Sequence, residues 1–158
     1  MGLGGFVMAR PTTCYIVAKS TGTDYTVAIY MIDGGGVSNT LGMAWYPDNQ
    51  TYLCYSGGSV PSTHNTTQAS YHLYNGIFSP TAGVSRLSVD YNAYTAQSDF
   101  DIRTSTTGLR VGAVGDNSGG YLNGNMCEII VWDRLLKSWE DLAVSRYLCA
   151  KWGTPAGF

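Results

Sequence analysis

The residues best placed to carry acid–base chemistry are two glutamates, Glu128 and Glu140. A retaining glycoside hydrolase needs two carboxyl groups about 5–5.5 Å apart, which a strand delivers from residues two or four apart on one face. Glu128 and Asp133 are five positions apart, an odd spacing that puts them on opposite faces of a strand. The sequence contains no E-x-D-x-x-E pattern. These spacings predict that the protein is not a glycosidase.

The sequence also lacks the residues that other kinds of catalytic site need. The chain has only two histidines, His64 in a polar segment and His72 in a strand-like pattern. It has no G-x-S-x-G nucleophile elbow, and the glycines at 34–36 are not followed by the Lys-Ser/Thr of a phosphate-binding loop. We interpret His72 as a satisfied strand residue rather than a catalytic base, and we predict that the protein is not an enzyme.

Two polar segments combine aromatic rings with carboxylate and amide groups, a combination typical of sugar-binding sites. An aromatic ring covers the C–H face of a sugar, and the planar polar groups bond to its hydroxyls. Asp and Asn are also favoured in turns for backbone reasons, and packing of Trp45 in the core is an alternative to sugar stacking. The candidate carbohydrate-binding residues are Trp45, Tyr46, Asp48, Asn49, Asp116, Asn117 and Tyr121.

The sequence offers few residues for metal or disulfide chemistry. Asp116 and Asn117 offer hard oxygen ligands for calcium, but two adjacent side chains do not make a site. We therefore expect no cofactor, with calcium kept as an alternative. The four cysteines, at 14, 54, 127 and 149, include no C-x-x-C pair, so a structural zinc site is not expected. Two disulfides in three connectivities are possible, yet the apolar surroundings of positions 14, 127 and 149 favour buried free thiols.

The overall composition favours a single all-β domain that spans residues 1–158. Hydrophobic residues make up 44% of the chain and charged residues 13%, with 20 glycines and 12 tyrosines. The net charge of −2, with scattered lysines and arginines, argues against nucleic-acid binding. The strongest apolar run, residues 129–132, is too short to insert in a membrane, and the first residues lack the basic region of a signal peptide.

Strand-length patterns recur about every ten residues, which is typical of a β-sandwich or barrel. Residues 87–92 alternate apolar and polar side chains, which predicts a half-exposed strand. The Thr/Ser-rich segment 60–70 is predicted to be a loop. The predicted strands cover residues 12–19, 25–32, 41–46, 51–55, 71–78, 86–94, 108–115 and 126–133.

One helix is predicted near the C-terminal end, over residues 138–151. Ser138 is suited to be its N-cap, and Asp141 three residues later completes an S-x-x-D capping box. Gly153 suits a left-handed residue after the helix, and Pro155 prevents its continuation.

This helix is predicted to cover an edge or opening of the strands. Its spacing suggests that Tyr147, Leu148 and Trp152 pack on a sheet. Trp132 and Trp139 are assigned, with Trp152, to the same contact between sheet and helix.

Three segments carry a resemblance: "YHLYNGIFSPTAGVSRLSVDYNAY", "GLRVGAVGDNSGGYLNGNMCEIIVWDRLLKSWED" and "RYLCAKWG". Their order, over residues 71–153, resembles that of laminin-G-like, concanavalin A-like lectin domains of the bacterial and phage type. The resemblance covers about half of the chain. It implies a two-sheet antiparallel jelly-roll sandwich with one C-terminal helix.

Four comparisons with this family's pattern lead to further expectations. Cys127 and Cys149 stand where the family usually has small residues, which again favours buried thiols. Tyr91 stands where a hairpin glycine is usual, so we expect a differently shaped turn there. Glu128 matches a glutamate for which we expect a structural, hydrogen-bonding role. The N-terminal part is short for the family, so we expect the first strand to be missing or supplied by a partner.

The predicted function is that of a non-catalytic, lectin-like adhesion module that binds glycans for a larger particle or surface assembly. The alternative is a structural phage virion protein, such as a capsid decoration, fibre or tail component, that makes protein contacts without a sugar site. Either function implies that the partners are glycans or other virion or surface subunits, in an oligomer or larger assembly. Both predict a location on a virion or an extracellular surface, without nucleic acid or membrane insertion.

Overall fold

The computed structural model describes residues 2–9, 11–21, 26–32, 40–45, 51–55, 58–61, 69–79, 85–92, 95–96, 105–113 and 120–155. Within these ranges the chain forms eleven strands and one helix. The strands are β1 Gly2–Ala9, β2 Thr12–Ser20, β3 Thr26–Ile32, β4 Thr40–Trp45, β5 Thr51–Tyr55, β6 Gly58–Pro61, β7 His72–Phe78, β8 Arg86–Val89, β9 Thr95–Ala96, β10 Ser105–Val111 and β11 Gly124–Trp132, and the helix is α1 Ser138–Trp152.

The strands form two antiparallel sheets. The six-stranded sheet has the order β1-β10-β3-β4-β5-β6, and the five-stranded sheet has the order β11-β2-β7-β8-β9. The predicted all-β sandwich with a C-terminal helix is therefore confirmed. The predicted loop at 60–70 begins too early, since Val60 and Pro61 belong to β6 and pair with β5. Among the described residues, no helix is long and apolar enough to cross a membrane.

The chain supplies its own N-terminal strand, contrary to our expectation. β1 pairs with β10, with Leu3 opposite Leu109 and Ala9 opposite Ser105. Three glycines and no polar alternation occur in Gly2–Ala9, so the segment lacks the local pattern that marks a strand. Pairing with β10 is what makes it one.

The five-stranded sheet is covered on both faces, which explains why its central strands, β2 and β7, are buried along almost their whole length. Cys14 and Ile16 of β2 face the other sheet and pack in a core that includes Tyr74 and Phe78. Tyr15 and Val17 of β2 face the opposite way, toward α1. The fold thus has three layers: the six-stranded sheet, the five-stranded sheet and the helix.

The prediction of a half-exposed strand at 87–92 is wrong. Leu87 and Val89 lie in the core between the sheets, but Ser88 and Asp90 are buried as well, because the opposite face of this sheet is also covered. The strand ends at Val89, and Asp90 and Tyr91 both have left-handed backbones, with φ of 53° and 59°. Two successive positive φ values are typical of a type I′ hairpin turn, so Tyr91 takes the conformation that glycine would favour.

The beginning of α1 differs from the prediction. Lys137, not Ser138, is the N-cap, and its backbone N–H donates to Oε2 of Glu140 over 2.8 Å. Asp141 does not cap the helix, because its carboxylate turns inward and accepts hydrogen bonds from the Tyr15 hydroxyl and from Nδ2 of Asn75.

The end of α1 agrees with the prediction. Gly153 has a left-handed backbone with φ of 65°, and its N–H donates to the carbonyl of Cys149 over 2.8 Å. A glycine adopts this conformation without the steric cost that a side chain would add. Pro155 follows two residues later, outside the helix.

The face that α1 buries is only partly the predicted one. Leu148 is buried, and Trp132 of β11 packs edge-to-face on Tyr15 with ring centroids 5.7 Å apart, both as expected. Tyr147 and Trp152 keep 48% and 37% of their surface exposed, and Trp139 keeps 67%. Trp139 was wrongly assigned to the contact between sheet and helix. Tyr147 and Trp152 do reach β11, but through hydrogen bonds to Glu128 at the surface rather than by burial, because α1 turns two polar residues inward with its apolar ones. The buried helix residues are Asp141, Ser145, Leu148 and Cys149.

Candidate functional site

Trp45, one of the predicted sugar-binding residues, lies in the core. Its ring is 1% exposed and packs edge-to-face on Tyr74, with centroids 5.2 Å apart. It shares the inward face of β4 with Met43, two positions earlier. Core packing, the alternative reading of Trp45, is therefore correct, and this ring is not accessible to a sugar.

The other predicted residues, apart from Tyr121, lie outside the described residues: Tyr46, Asp48, Asn49, Asp116 and Asn117. The strands that lead to them are described, and they settle which end of the sheet these segments leave from. Trp45 pairs with Thr26 and with Thr51, and Val111 pairs with Ile29. Both segments therefore leave the same end of the six-stranded sheet, separated by β3. Two strand spacings put their attachment points about 10 Å apart.

Tyr121 lies at this same end and is 58% exposed. The next residue, Leu122, packs against the core between the sheets, so the two side chains point in opposite directions. The N–H of Leu122 donates to the carbonyl of Gly112 over 2.9 Å, and the N–H of Gly112 donates to the carbonyl of Ala28 over 3.0 Å. Residues 120–124, here called the end strap, are thus tied to β3 of the six-stranded sheet.

The end strap is also tied to the five-stranded sheet. The carbonyl of Asn123 accepts the N–H of Thr21 over 2.6 Å and the hydroxyl of Thr21 over 3.0 Å. A Cβ at Gly124 would stand 2.1 Å from the carbonyl oxygen of Lys19, so only glycine allows the strap to approach β2 this closely. Sequence reasoning missed Thr21 and Asn123; the Asn-Gly pair at 123–124, typical of turns, was the available signal.

Glu128 has the structural role that was expected. Its Oε2 accepts Nε1 of Trp152 over 2.7 Å and lies 3.0 Å from Nζ of Lys151, and its Oε1 accepts the Tyr147 hydroxyl over 3.3 Å. The Trp152 and Lys151 hydrogen bonds lower the pKa of Glu128 below its usual value. A general acid needs a raised pKa to keep its proton, so this carboxylate is unsuited to that role.

Glu140 also has a structural role. Both of its oxygens accept the Arg134 guanidinium, over 2.7 and 2.8 Å, and one also accepts the N–H of Lys137. These bonds lower the pKa of Glu140 to about 2. It is therefore ionised at neutral pH and cannot serve as a general acid.

His72 is a satisfied strand residue, as interpreted from the sequence. Its Nδ1 lies 2.6 Å from Oδ2 of Asp90, and both side chains are nearly fully buried. Oδ1 of Asp90 accepts the N–H of Leu73 over 3.0 Å, so the carboxylate links β7 to the hairpin that follows β8. The other histidine, His64, lies outside the described residues.

The described cysteines are free thiols, as favoured from the sequence: Cys14, Cys127 and Cys149. Burial raises the pKa values of the Cys14 and Cys149 thiols, which disfavours the reactive thiolate. Within the described ranges, no group of three His, Cys, Asp or Glu side chains could hold a metal ion.

Comparisons of the sequence with known protein families and with curated proteins find no match. The fold, by contrast, has similar solved structures. The Ruminococcus gnavus IT-sialidase CBM40 bound to α2,3-sialyllactose superposes with a TM-score of 0.69 and 10% identity, over 87% of this chain and 83% of that one. A heptameric SAP-like pentraxin from Limulus polyphemus gives 0.67 and 12%, over 90% and 73%. Trypanosoma rangeli sialidase in complex with sialic acid also gives 0.67 and 12%, over 91% of this chain but only 24% of its own length.

These similarities establish the fold. The chain is a jelly-roll β-sandwich, as its resemblance to lectin-like jelly rolls implied. At 10–12% identity the comparison concerns the path of the backbone and does not transfer any binding residue.

Proposed function

We propose that this protein is a non-catalytic, lectin-like module that binds a glycan at the end of the sandwich formed by the end strap. The observation that carries the proposal is the position of Tyr121. Its ring is 58% exposed, and it lies at the sheet end from which segments 46–50 and 114–119 both leave. An exposed aromatic ring at the end of the sheet that carries the attachment points of two polar segments is a combination that sugar recognition commonly uses.

The pattern of buried and exposed side chains at this end supports the proposal. Leu122 and Trp45 are inside and hold the scaffold, whereas Tyr121 projects outward from a backbone that both sheets anchor. Asp48, Asn49, Asp116 and Asn117 belong to the two adjoining segments and would supply the groups that bond to sugar hydroxyls. Loops on a rigid scaffold can vary without loss of the fold, which is why binding sites so often lie there.

A sialylated glycan is the first ligand class to test. The R. gnavus CBM40 structures contain α2,3- and α2,6-sialyllactose, and the T. rangeli sialidase structure contains sialic acid. The backbone similarity is the reason to begin with these sugars. Adhesion to a cell surface, as part of a virion or extracellular assembly, is the wider role that we propose for such a module.

The proposal that the module is non-catalytic rests on its glutamates. Glu128 and Glu140 both have lowered pKa values and both are held by side chains of α1 or of the turn before it. Neither can deliver a proton to a glycosidic oxygen at neutral pH.

Binding to a broad glycan array, followed by titration with both sialyllactoses, tests the proposal. Tyr121→Ala should weaken binding by about tenfold. A ring contact contributes about 0.5–1.5 kcal/mol to the free energy of binding, in addition to the burial of the ring surface. The double variant Asp116→Ala/Tyr121→Ala should abolish binding while the Tm stays within a few degrees. Trp139→Ala is the matched control, because that ring is equally exposed but lies beyond the opposite end of β11. Equal affinity of wild type and double variant would place the site elsewhere.

The second candidate function is a structural virion component that makes protein contacts. The exposure of Trp139, at 67%, and Leu135, at 40%, favours it, because large exposed apolar side chains are typical anchors of protein interfaces. A folded protein that binds no glycan on the array but assembles onto a particle, and loses that assembly in Trp139→Ala, would support this function instead.

A further inference from the structure

We infer that Thr21 is the positioning residue of the glycan site, because it fixes the end strap that carries the Tyr121 ring. The inference rests on the proposed function and adds to it a residue directly after β2, whose side chain need not touch the sugar.

The geometry of the Asn123 carbonyl is the basis of this inference. It accepts both the N–H and the hydroxyl of Thr21, over 2.6 and 3.0 Å, and Oγ of the buried Ser20 lies 3.5 Å away. The same hydroxyl lies 3.4 Å from Oδ1 of Asn123. The Asn123 carbonyl, two residues from Tyr121, thus extends the attachment of the strap to the five-stranded sheet by one residue beyond the pairing of Gly124 with Ser20.

The other tie of the strap runs to the opposite sheet. The N–H of Leu122 donates to Gly112, and Gly112 in turn donates to Ala28. Gly112 has a left-handed backbone with φ of 73°, which glycine adopts at low cost. With one tie to each sheet at Leu122 and Asn123, the backbone that directly follows Tyr121 has little freedom to turn.

A fixed backbone matters for a ring that stacks on a sugar. A ligand that must first order its platform loses affinity in proportion to the conformational freedom removed. Functional groups on rigid, hydrogen-bonded supports avoid that loss. The Thr21 hydroxyl is thus expected to raise the affinity by holding the backbone that carries the Tyr121 ring, and not by contact with the ligand.

Thr21→Val tests this role, since it removes the hydroxyl and keeps the β-branched shape and the backbone N–H. The loss of one hydrogen bond corresponds to about a 2- to 10-fold change in an equilibrium constant. We expect the Kd for α2,3-sialyllactose, or for the best array ligand, to rise by that factor. We also expect the Leu122 amide to exchange with solvent faster by a similar factor, while the Gly153 amide, at the end of α1, is unchanged.

Two further variants complete the test. Thr21→Ser restores the hydroxyl and should return both values to within about twofold of wild type. Ser138→Ala, an exposed hydroxyl removed at the start of α1, should change neither value. Rescue by serine with an unchanged Tm separates positioning from a general loss of stability.

The possible failures are distinguishable. If Thr21→Val leaves both the Kd and the Leu122 exchange rate unchanged, or if its effects accompany a large fall in Tm, the inference about Thr21 is wrong and glycan binding stands. If the wild type binds no glycan, the proposed function is wrong, and with it the role of Thr21 in binding. The exchange rates then still decide whether Thr21 holds the strap.

Discussion

The indole Nε1 of Trp152 donates to Oε2 of Glu128 over 2.7 Å, and this bond ties the last residue of α1 to the middle of β11. Nζ of Lys151 lies 3.0 Å from the same oxygen and also lies over the rings of Tyr147 and Trp152, 5.2 and 5.3 Å from their centroids. The tyrosine, lysine and tryptophan of "YLCAKWG" thus converge on one carboxylate. The helix end is held to the sheet by polar contacts at its surface as well as by the buried Leu148.

Removal of the Glu128 charge should therefore loosen α1. Glu128→Gln weakens the three hydrogen bonds that converge on the carboxylate, and we expect the free energy of unfolding to fall by about 1–2 kcal/mol. Urea denaturation followed by circular dichroism measures it. Trp139→Ala, on the exposed side of the helix, is the control and should change stability by less than about 0.5 kcal/mol. Equal stability of Glu128→Gln and wild type would mean that these surface contacts add nothing.

Acid should destabilise the fold in a defined range of pH. The pKa of Glu140 is lowered from 4.5 to about 2 by Arg134 and by the N–H of Lys137, and the pKa of Glu128 is lowered as well. A lowered pKa gives stability that is complete above the unfolded value and is lost as pH falls through the folded value. The Tm should therefore fall between about pH 4.5 and pH 2.

Glu140→Gln isolates the contribution of that residue to the acid response. The variant should have a lower Tm than wild type at pH 7, and the two Tm values should approach each other as pH falls toward 2 and below, where wild-type Glu140 takes up its proton. A difference in Tm that stays constant from pH 7 to pH 2 would contradict the shifted pKa.

The buried carboxylate of Asp90 should be much more costly to remove. Asp90→Ala leaves Nδ1 of His72 and the N–H of Leu73 without their acceptor in a region closed to water. We expect a loss of about 2–4 kcal/mol in the free energy of unfolding. Asp133→Ala removes an exposed carboxylate from the same chain and should cost less than about 0.5 kcal/mol. Similar losses in the two variants would mean that the buried contacts of Asp90 stabilise the fold no more than an exposed carboxylate does.

The Cys14 thiol should be inert in the folded protein. It is fully buried between the sheets, and burial raises its pKa far above neutral pH. Alkylation with iodoacetamide at pH 8, followed by peptide mapping, should leave Cys14 unmodified until the protein is unfolded. Modification of Cys14 at the rate of a free peptide thiol would mean that this core opens readily.

The sequence determined much of the fold because strand and helix signals are local. The alternation within β8, the apolar run of β2 and the glycine after α1 identify their elements without any tertiary information. Glu128, His72 and the described thiols were also interpreted correctly. The resemblance implied a structural role for Glu128, and apolar surroundings in the sequence favoured free thiols. The segments around Tyr121 were singled out from residue types alone.

Only the tertiary structure decided which faces are covered and which residues far apart in sequence are joined by hydrogen bonds. Trp45 and Trp139 have the same side chain, yet one is 1% and the other 67% exposed, because β4 faces the opposite sheet and α1 buries Asp141 and Ser145 instead. The tie between Thr21 and Asn123 joins residues 102 positions apart, a separation that no local pattern encodes. Burial and long-range hydrogen bonds depend on how whole elements pack, and that packing is a property of the entire chain rather than of any segment.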